Sequence, residues 1–262
     1  MLEQIELEDA IKEAESIIKT DTILNIIDKA TLGGYLEKML FIVNNNKIEI
    51  KTNDSYQTVY SIVYSDNFLN INKDFGIYNS KQFINLIKLF DKEMKVEFIE
   101  TNNELDSMLL KKDSIEVQVN LADPVMFNRE NVNKAFIKEN KLPKEYEIFI
   151  NIDSDIVSKL IKIFDTFADS KICFFHVKKE KLYITIGDEK TRENSASILL
   201  KEKNDGYSLF SEKISFLISD FKRVLKINKN GKINIKVSSS GIMIINVIID
   251  NIICKYYIMA VS

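Results

Sequence analysis

The chain has 262 residues, of which 45% are hydrophobic and 29% are charged, which is enough for two domains of ordinary size with buried cores. A formal net charge of −3 and a pI near 5.5 exclude a protein that is basic over its whole surface, but they allow local basic strips. No apolar run approaches the ~18 residues of a membrane span, and the acidic N-terminus does not resemble a targeting segment. We therefore expect a cytoplasmic protein with no membrane partner.

The first half of the chain is predicted to contain two helices, each followed by strands. Residues 1–13 form an acidic extension, and residues 14–19 are predicted to be the opening strand, although Leu7, Ile11 and Ile18 also fit helical spacing. The first helix should run from about residue 21 to 30 and stop at Gly33-Gly34. The second should open at Asn79-Ser80 and last to about residue 90. Strands are expected at residues 36–43, 47–51, 57–64, 95–100, 107–110 and 114–121.

The two prolines of the chain, Pro124 and Pro143, bracket a polar stretch without strand alternation. Because proline is excluded from interior strands, we interpret residues 123–144 as a connector between a first domain, 14–122, and a second, 145–262. The second domain is predicted to open with a strand at 145–152 and a helix at 153–167. Further strands follow to residue 200, then a helix at 214–226 and strands at 232–238, 241–249 and 252–261. Asn230-Gly231 and Asp250-Asn251 are expected to be hairpin turns.

The sequence repeats itself at an offset of 134 residues. Asp21, Ile23 and Ile26 fall on Asp155, Val157 and Leu160, residues 47–50 fall on the strand at 181–184, and residues 81–92 fall on 215–226. One offset that serves two helices and a strand indicates an internal duplication. The predicted fold class is therefore α+β, with two domains that each contain two helices and antiparallel strands.

Few residues offer catalytic or metal-binding chemistry. His176 lies in a strand without a nucleophile in a recognisable motif, and Asp153 and Asp155 lack the glycine and glutamate of a calcium loop, so helix capping explains them. Glycine-rich phosphate-binding motifs are absent from the sequence. Cys173 and Cys254 lie in apolar strands and are expected to be buried, reduced thiols. We expect no enzymatic activity, no metal and no cofactor.

Four helices in two repeated halves, with a proline-marked connector near the middle, resemble a ring-shaped DNA sliding clamp of the PCNA superfamily. Three segments are similar to its tailed-bacteriophage branch, the DNA polymerase processivity factors: residues 75–90, residues 121–124 and residues 255–260. The resemblance spans residues 14–262 and implies the duplicated PCNA-like (DNA clamp) fold. It also implies a homotrimeric ring around duplex DNA, loaded by a clamp loader, that tethers a DNA polymerase without reading base sequence.

The resemblance implies that the helices face the DNA, and cations on their solvent side would attract phosphates through counterion release. The alternative is that these cations only keep the helices soluble. Asn25 and Asp28 of the first helix stand where the third has Lys159 and Lys162, so the first helix departs from the pattern. The candidate DNA-facing residues are Lys29, Lys81, Lys88, Lys92, Lys159, Lys162, Lys222, Arg223 and Lys226.

The resemblance also implies that an edge strand of each domain pairs with the neighbouring subunit. By position the candidates are Ile115, Val117, Val119 and Leu121 in the first domain and Ser195, Ser197, Ile198 and Leu200 in the second. Clamps bind apolar tails of their partners beneath the connector. The candidates for that pocket are Val125, Met126, Phe127, Tyr256, Ile258 and Met259, for each of which plain core packing is the alternative.

The sequence also allows a function of a different class, that of a non-catalytic β-rich viral assembly or virion protein, since a duplicated fold does not dictate function. The bias toward Asn, Lys and Ile fits an A+T-rich, often viral, genome, which would place the protein in the host cell cytoplasm. An assembly protein would neither stimulate a polymerase nor bind DNA through its lysines.

Overall fold

The computed structural model describes residues 12–129, 142–187, 194–202 and 213–261. These residues form two compact units, one with residues up to 52 and from 64 to 129, the other with residues 53–63 and the described residues from 142 onward. The segment 53–63 thus belongs with the second unit, whereas the sequence placed it in the first domain. The acidic residues 1–11 and the connector residues 130–141 lie outside the described residues.

The helices of the described chain are α1 (Thr20–Thr31), α2 (Ser80–Ile87), α3 (Pro124–Arg129), α4 (Ser154–Thr166) and α5 (Ile218–Ile227). The first eight strands are β1 (Lys12–Lys19), β2 (Lys38–Asn44), β3 (Lys47–Asn53), β4 (Val59–Asp66), β5 (Phe75–Ile77), β6 (Glu93–Thr101), β7 (Glu104–Lys112) and β8 (Ile115–Asn120). The others are β9 (Ile148–Ile152), β10 (Ile172–Lys178), β11 (Lys181–Ile186), β12 (Ala196–Lys201), β13 (Ile214–Leu217), β14 (Lys232–Ser238), β15 (Ile242–Ile249) and β16 (Ile252–Met259). Among the described residues no helix is long and apolar enough to cross a lipid bilayer.

In the first unit, α1 and α2 contact each other and pack on antiparallel strands. One sheet has the strand order β1-β6-β7-β8, and other strands are ordered β5-β2-β3. The core between them is aromatic: Phe41 stacks on Phe75 with ring centroids 4.3 Å apart, and Phe98 lies 5.6 Å from Phe75. Leu32, Gly33 and Gly34 all have positive φ, which confirms that the chain leaves the helical conformation at the predicted glycines.

The second unit repeats this arrangement. Its sheets have the strand orders β12-β11-β10-β13 and β4-β16-β15-β14-β9, and α4 and α5 contact each other. The predicted cap of α4 is confirmed, since Asp153 Oδ1 accepts a hydrogen bond from the backbone N–H of Ile156 at 2.8 Å. Phe164 of α4 lies 5.7 Å from Phe221 of α5, so aromatic packing joins the two helices.

The duplication is visible in the order of elements, but one offset does not serve the whole chain. The starts of α1 and α4, of β2 and β10, and of β3 and β11 are each 134 residues apart, whereas the starts of α2 and α5 are 138 apart. The predicted helix at 214–226 was therefore placed too early: residues Ile214–Leu217 form β13 and the helix begins at Ile218. A four-residue slip is about one helical turn, so the apolar pattern still matched.

Two smaller expectations about turns and cysteines have different outcomes. Asp250-Asn251 joins β15 to β16, as predicted, with Asp250 at φ 50. Asn230-Gly231 is not a hairpin turn, because it joins α5 to β14. Cys173 and Cys254 are both buried, as predicted, and burial raises the pKa of the Cys173 thiol to about 12.

Candidate nucleic-acid interface

The solvent sides of the helices and their ends carry most of the predicted DNA-facing cations. In the first unit Lys81, Lys88 and Lys92 are exposed, at the start, the end and just beyond the end of α2. In the second unit Lys159 and Lys162 are exposed on α4, while Arg223 and Lys226 are exposed on α5 and Lys222 is half-buried. The apolar residues of these helices point into the cores, and this leaves the cations to water.

Lys222 and Lys226 share one carboxylate, that of Asp165 in the last turn of α4. The Asp165 Oδ1 atom lies 2.5 Å from Lys222 Nζ and 3.4 Å from Lys226 Nζ. The hydrogen bond from Lys222, followed by that from Lys226, lowers the pKa of the Asp165 carboxyl, so the carboxylate is ionised at neutral pH. Asp165 was not among the predicted residues, since a pair between two helices cannot be seen from spacing within one helix.

A cleft of about 480 Å³ opens beside this pair on the solvent side of the second unit. Lys162 and Lys229 contribute ammonium groups to its lining, Ser158 and Thr166 contribute hydroxyls, and Asp165 contributes its carboxylate. The ammonium groups and hydroxyls are donors that suit phosphate oxygens, although the Thr166 hydroxyl already donates to the carbonyl of Lys162. Lys229 was not among the predicted residues, because it follows the end of α5.

Lys29 must be removed from the predicted surface. Its side chain is only 4% exposed, and its ammonium donates to the Asn25 Oδ1 one turn earlier in α1. The neighbouring Asp28 is half-buried, and burial raises the pKa of its carboxyl, while the positive charges of Lys88 and Lys29 act in the opposite direction. The first helix therefore presents a carboxylate and an amide, rather than lysines, to solvent.

Both strands that were expected to pair with a neighbouring subunit lie at sheet edges. Within the described residues, β8 has β7 as its single neighbour and β12 has β11. The observed strands, Ile115–Asn120 and Ala196–Lys201, leave Leu121 and Ser195 just outside them. Ile115 is 41% exposed, whereas Val119 and Leu200 are buried. Pairing with another chain stays a prediction, which the open edges make feasible.

The apolar residues at the start of the connector lie in the first unit. Phe127 of α3 is 2% exposed and stacks on Tyr78 with ring centroids 5.1 Å apart. Val125 and Met126 of the same short helix are 45% and 43% exposed. Phe127 is thus an anchor, whereas its two neighbours remain accessible to a partner.

The closing strand contributes less to a pocket than predicted. Tyr256 and Ile258 lie in the core of the second unit with no exposed surface, and the hydroxyl of Tyr256 accepts a hydrogen bond from Asn228 Nδ2 at 3.0 Å. These two residues cannot contact a partner, and both predictions are corrected to core packing. Met259 has the opposite strand parity and is half-buried.

His176 has structural neighbours rather than catalytic ones. Its ring stacks on Tyr183 with centroids 5.5 Å apart, and its Nδ1 atom lies 3.3 Å from the hydroxyl of Thr185. In the described part of the chain, no group of acidic, histidine or cysteine side chains is arranged to hold a metal ion. These contacts make His176 part of the packing of β10 on β11.

The structure is similar to solved structures of PCNA and of a DNA polymerase III subunit beta. It matches PCNA of A. fulgidus, in a structure with the C-terminal region of FEN-1, at a TM-score of 0.68 and 16% identity over 96% of this chain and 99% of that one. PCNA of Entamoeba histolytica matches at 0.65 and 12% identity over 97% and 100%. The DNA polymerase III subunit beta of Pseudomonas aeruginosa matches at 0.68 and 13% over 98% and 68%. No protein-family model and no curated protein sequence matches the chain.

These structural matches establish the fold. The chain has the duplicated PCNA-like (DNA clamp) fold that the order of helices and strands indicated, and it is α+β. At identities of 12–16% they assign no role to individual residues, and only the chain's own cations and edge strands bear on the site.

Proposed function

We propose that the chain is one subunit of a DNA sliding clamp that encircles duplex DNA and tethers a replicative DNA polymerase. The observation that carries the proposal is the set of exposed lysines on the helices of a chain with the clamp fold. The role is topological and not enzymatic: a closed ring converts dissociation of the polymerase into diffusion along the duplex. No cofactor or metal takes part.

The proposed ring is a homotrimer in which β8 of one subunit pairs with β12 of the next. Support comes from the positions of both strands, since each is an edge strand of its sheet among the described residues and two such edges on one chain permit head-to-tail closure. A clamp loader would open and close this ring on DNA. We place the chain in the tailed-bacteriophage branch because of the resemblance of residues 75–90, 121–124 and 255–260, and the two-domain framework 14–122 and 145–262 belongs to the same proposal.

Attraction to DNA in this proposal is electrostatic and independent of base sequence. Lysine side chains at the ends of flexible stems act as point charges toward phosphates, since an ammonium group lacks the planar fork of a guanidinium. Polymerase and loader would contact the exposed Val125 and Met126 beside the anchored Phe127. These two are the exposed large apolar side chains of the connector among the described residues.

The test is charge reversal with a fluorescent duplex as the probe. Lys88→Glu, Lys159→Glu and Lys222→Glu should each weaken binding and lower the slope of log affinity against log salt by about 0.9 for each phosphate that is no longer neutralised. Lys178→Glu is the matched control, because Lys178 is exposed at the end of a strand, β10, and not on a helix. Equal losses of affinity for all four variants would contradict a DNA surface on the helices. A second assay, stimulation of a polymerase on a primed circle, separates a clamp from an assembly protein.

A further inference from the structure

In the second unit a carboxylate stands between two of the lysines that are proposed to face DNA. Asp165 Oδ1 lies 2.5 Å from Lys222 Nζ and 3.4 Å from Lys226 Nζ, so one acidic oxygen contacts both ammonium groups. The side chains of Asp165 and Lys226 are 50% and 49% exposed. The cluster therefore lies at the water-facing surface, where a DNA phosphate would compete with Asp165 for the same donors.

The packing of α4 on α5 does not depend on this cluster. Phe164 and Phe221 already join the two helices through their rings, and Leu160, Val224 and Leu225 are buried beside them. Ion pairs at exposed positions add little to the stability of a fold, because water and salt screen them. The position of Asp165 thus calls for an explanation other than stability.

The first unit has a related aspartate and lysine, but not an equivalent pair. Asp28 lies in the last turn of α1, and the charge of Lys88, at the end of α2, acts on its carboxyl. Lys88 and Lys226 are 138 residues apart, the same separation as the starts of α2 and α5. Lys88 thus corresponds to Lys226 in the repeat, whereas Asp28 corresponds to Lys162 and not to Asp165.

We propose that Asp165 is a counter-charge that partly neutralises Lys222 and Lys226 and so weakens the binding of DNA phosphates to this surface. The inference rests on the proposed function and deepens it. A ring that must move along a duplex needs attraction without a tightly held phosphate. An aspartate on the lysines meets this need, because every phosphate contact has to replace an existing ion pair and approach a negative charge. Lys162 and Lys229, in the cleft that Asp165 also lines, remain to receive phosphate.

The experiment compares Asp165→Asn with Asp155→Asn in the full chain. Both variants remove one negative charge from an exposed position of α4 while preserving side-chain size. Asp155 lies ten residues earlier, about 15 Å along the helix, which exceeds the Debye length of about 8–10 Å at physiological salt. The control therefore matches the change in net charge without acting on Lys222 and Lys226.

The readout is the affinity for a short fluorescent duplex, measured by anisotropy between about 50 and about 200 mM salt. Asp165→Asn should bind more tightly than wild type at low salt. Its affinity should also fall more steeply as salt rises. Over this range it should lose about 3.5-fold more affinity than wild type for each lysine that the substitution frees, since each neutralised phosphate adds about 0.9 to the slope of log affinity against log salt. The effect should shrink when Lys222→Gln is introduced as well, because the two residues act as a pair.

The outcomes separate this inference from the proposed function. If wild type binds the duplex and Asp165→Asn is indistinguishable from Asp155→Asn, the counter-charge role is overturned and the DNA surface stands. A full effect of Asp165→Asn in the Lys222→Gln background overturns the pairing argument in the same way. If wild type does not bind duplex at any salt, the proposed function is refuted and the inference with it.

Discussion

Gly76→Ala should undock the start of the connector from the first unit. A methyl group built at Gly76 in β5 would lie 1.9 Å from Phe127 Cε2 and 2.5 Å from Phe127 Cζ, which is far inside van der Waals contact. The backbone cannot yield easily, since Gly76 and Ala122 exchange two hydrogen bonds of 2.9 Å. The aromatic ring of Phe127 must therefore leave its site.

The magnitude follows from the burial of that ring. Phe127 is 2% exposed, and full burial of such a side chain stabilises a fold by about 1.5–3 kcal/mol. We expect Gly76→Ala to lower the free energy of unfolding by about this amount, in denaturant titrations followed by circular dichroism. Phe127→Ala should cost about 3–5 kcal/mol, because it removes the ring and leaves a cavity. Val125→Ala, at an exposed position of the same helix, should change stability by at most about 0.5 kcal/mol.

A double variant tests the stated cause. In the Phe127→Ala background the added methyl group meets no ring, so Gly76→Ala should cost much less there than in the wild-type chain. Additive costs in the double variant would refute the steric explanation, as would wild-type stability of Gly76→Ala alone.

Three further predictions concern the edges, a buried acid and a buried hydroxyl. Val117→Pro or Ile198→Pro should interrupt β8 or β12 and yield monomers by light scattering, and an undisturbed trimer would rule out these edges as the interface. Hydrogen bonds from lysines on β6 and β7 lower the pKa of Glu97 from 4.5 to about 2. Glu97→Gln should therefore lower the free energy of unfolding at neutral pH. The difference in unfolding free energy between variant and wild type should shrink as pH drops from about 4.5 to about 2, and a difference that does not change with pH would contradict this. Tyr256→Phe leaves the Asn228 Nδ2 atom without one of its acceptors and should cost about 1–2 kcal/mol in thermal or chemical unfolding, whereas an unchanged stability would contradict a role for that hydrogen bond.

The helices and most strands could be predicted from periodicity because each element has one buried face. The exceptions are α3, whose residues were assigned to the connector, and α5, where the offset taken from α1 and α4 placed the helix about one turn early. A shift of four residues rotates a helical pattern by only about 40°, so apolar residues still fell on apolar residues. The strand Ile214–Leu217 was missed for this reason, since its residues were assigned to the helix.

The surface residues could be predicted less well, because a surface depends on contacts between elements. Lys29 follows the buried Ile26 and Ile27 closely in α1 and is itself buried, although its charge had predicted an exposed side chain. Strand parity alone would have separated Tyr256 from Met259, which point to opposite faces of β16. No parity or spacing could have found Asp165, whose partners lie on another helix 57 and 61 positions away.

The mass of the full chain in solution, measured by light scattering over a dilution series, tests the clamp proposal most directly. The proposal predicts a species near 91 kDa, three times the chain mass of 30.3 kDa, that dissociates on dilution without forming larger assemblies. A mass of 30.3 kDa at every concentration, or open-ended assembly, would contradict a closed ring of three subunits.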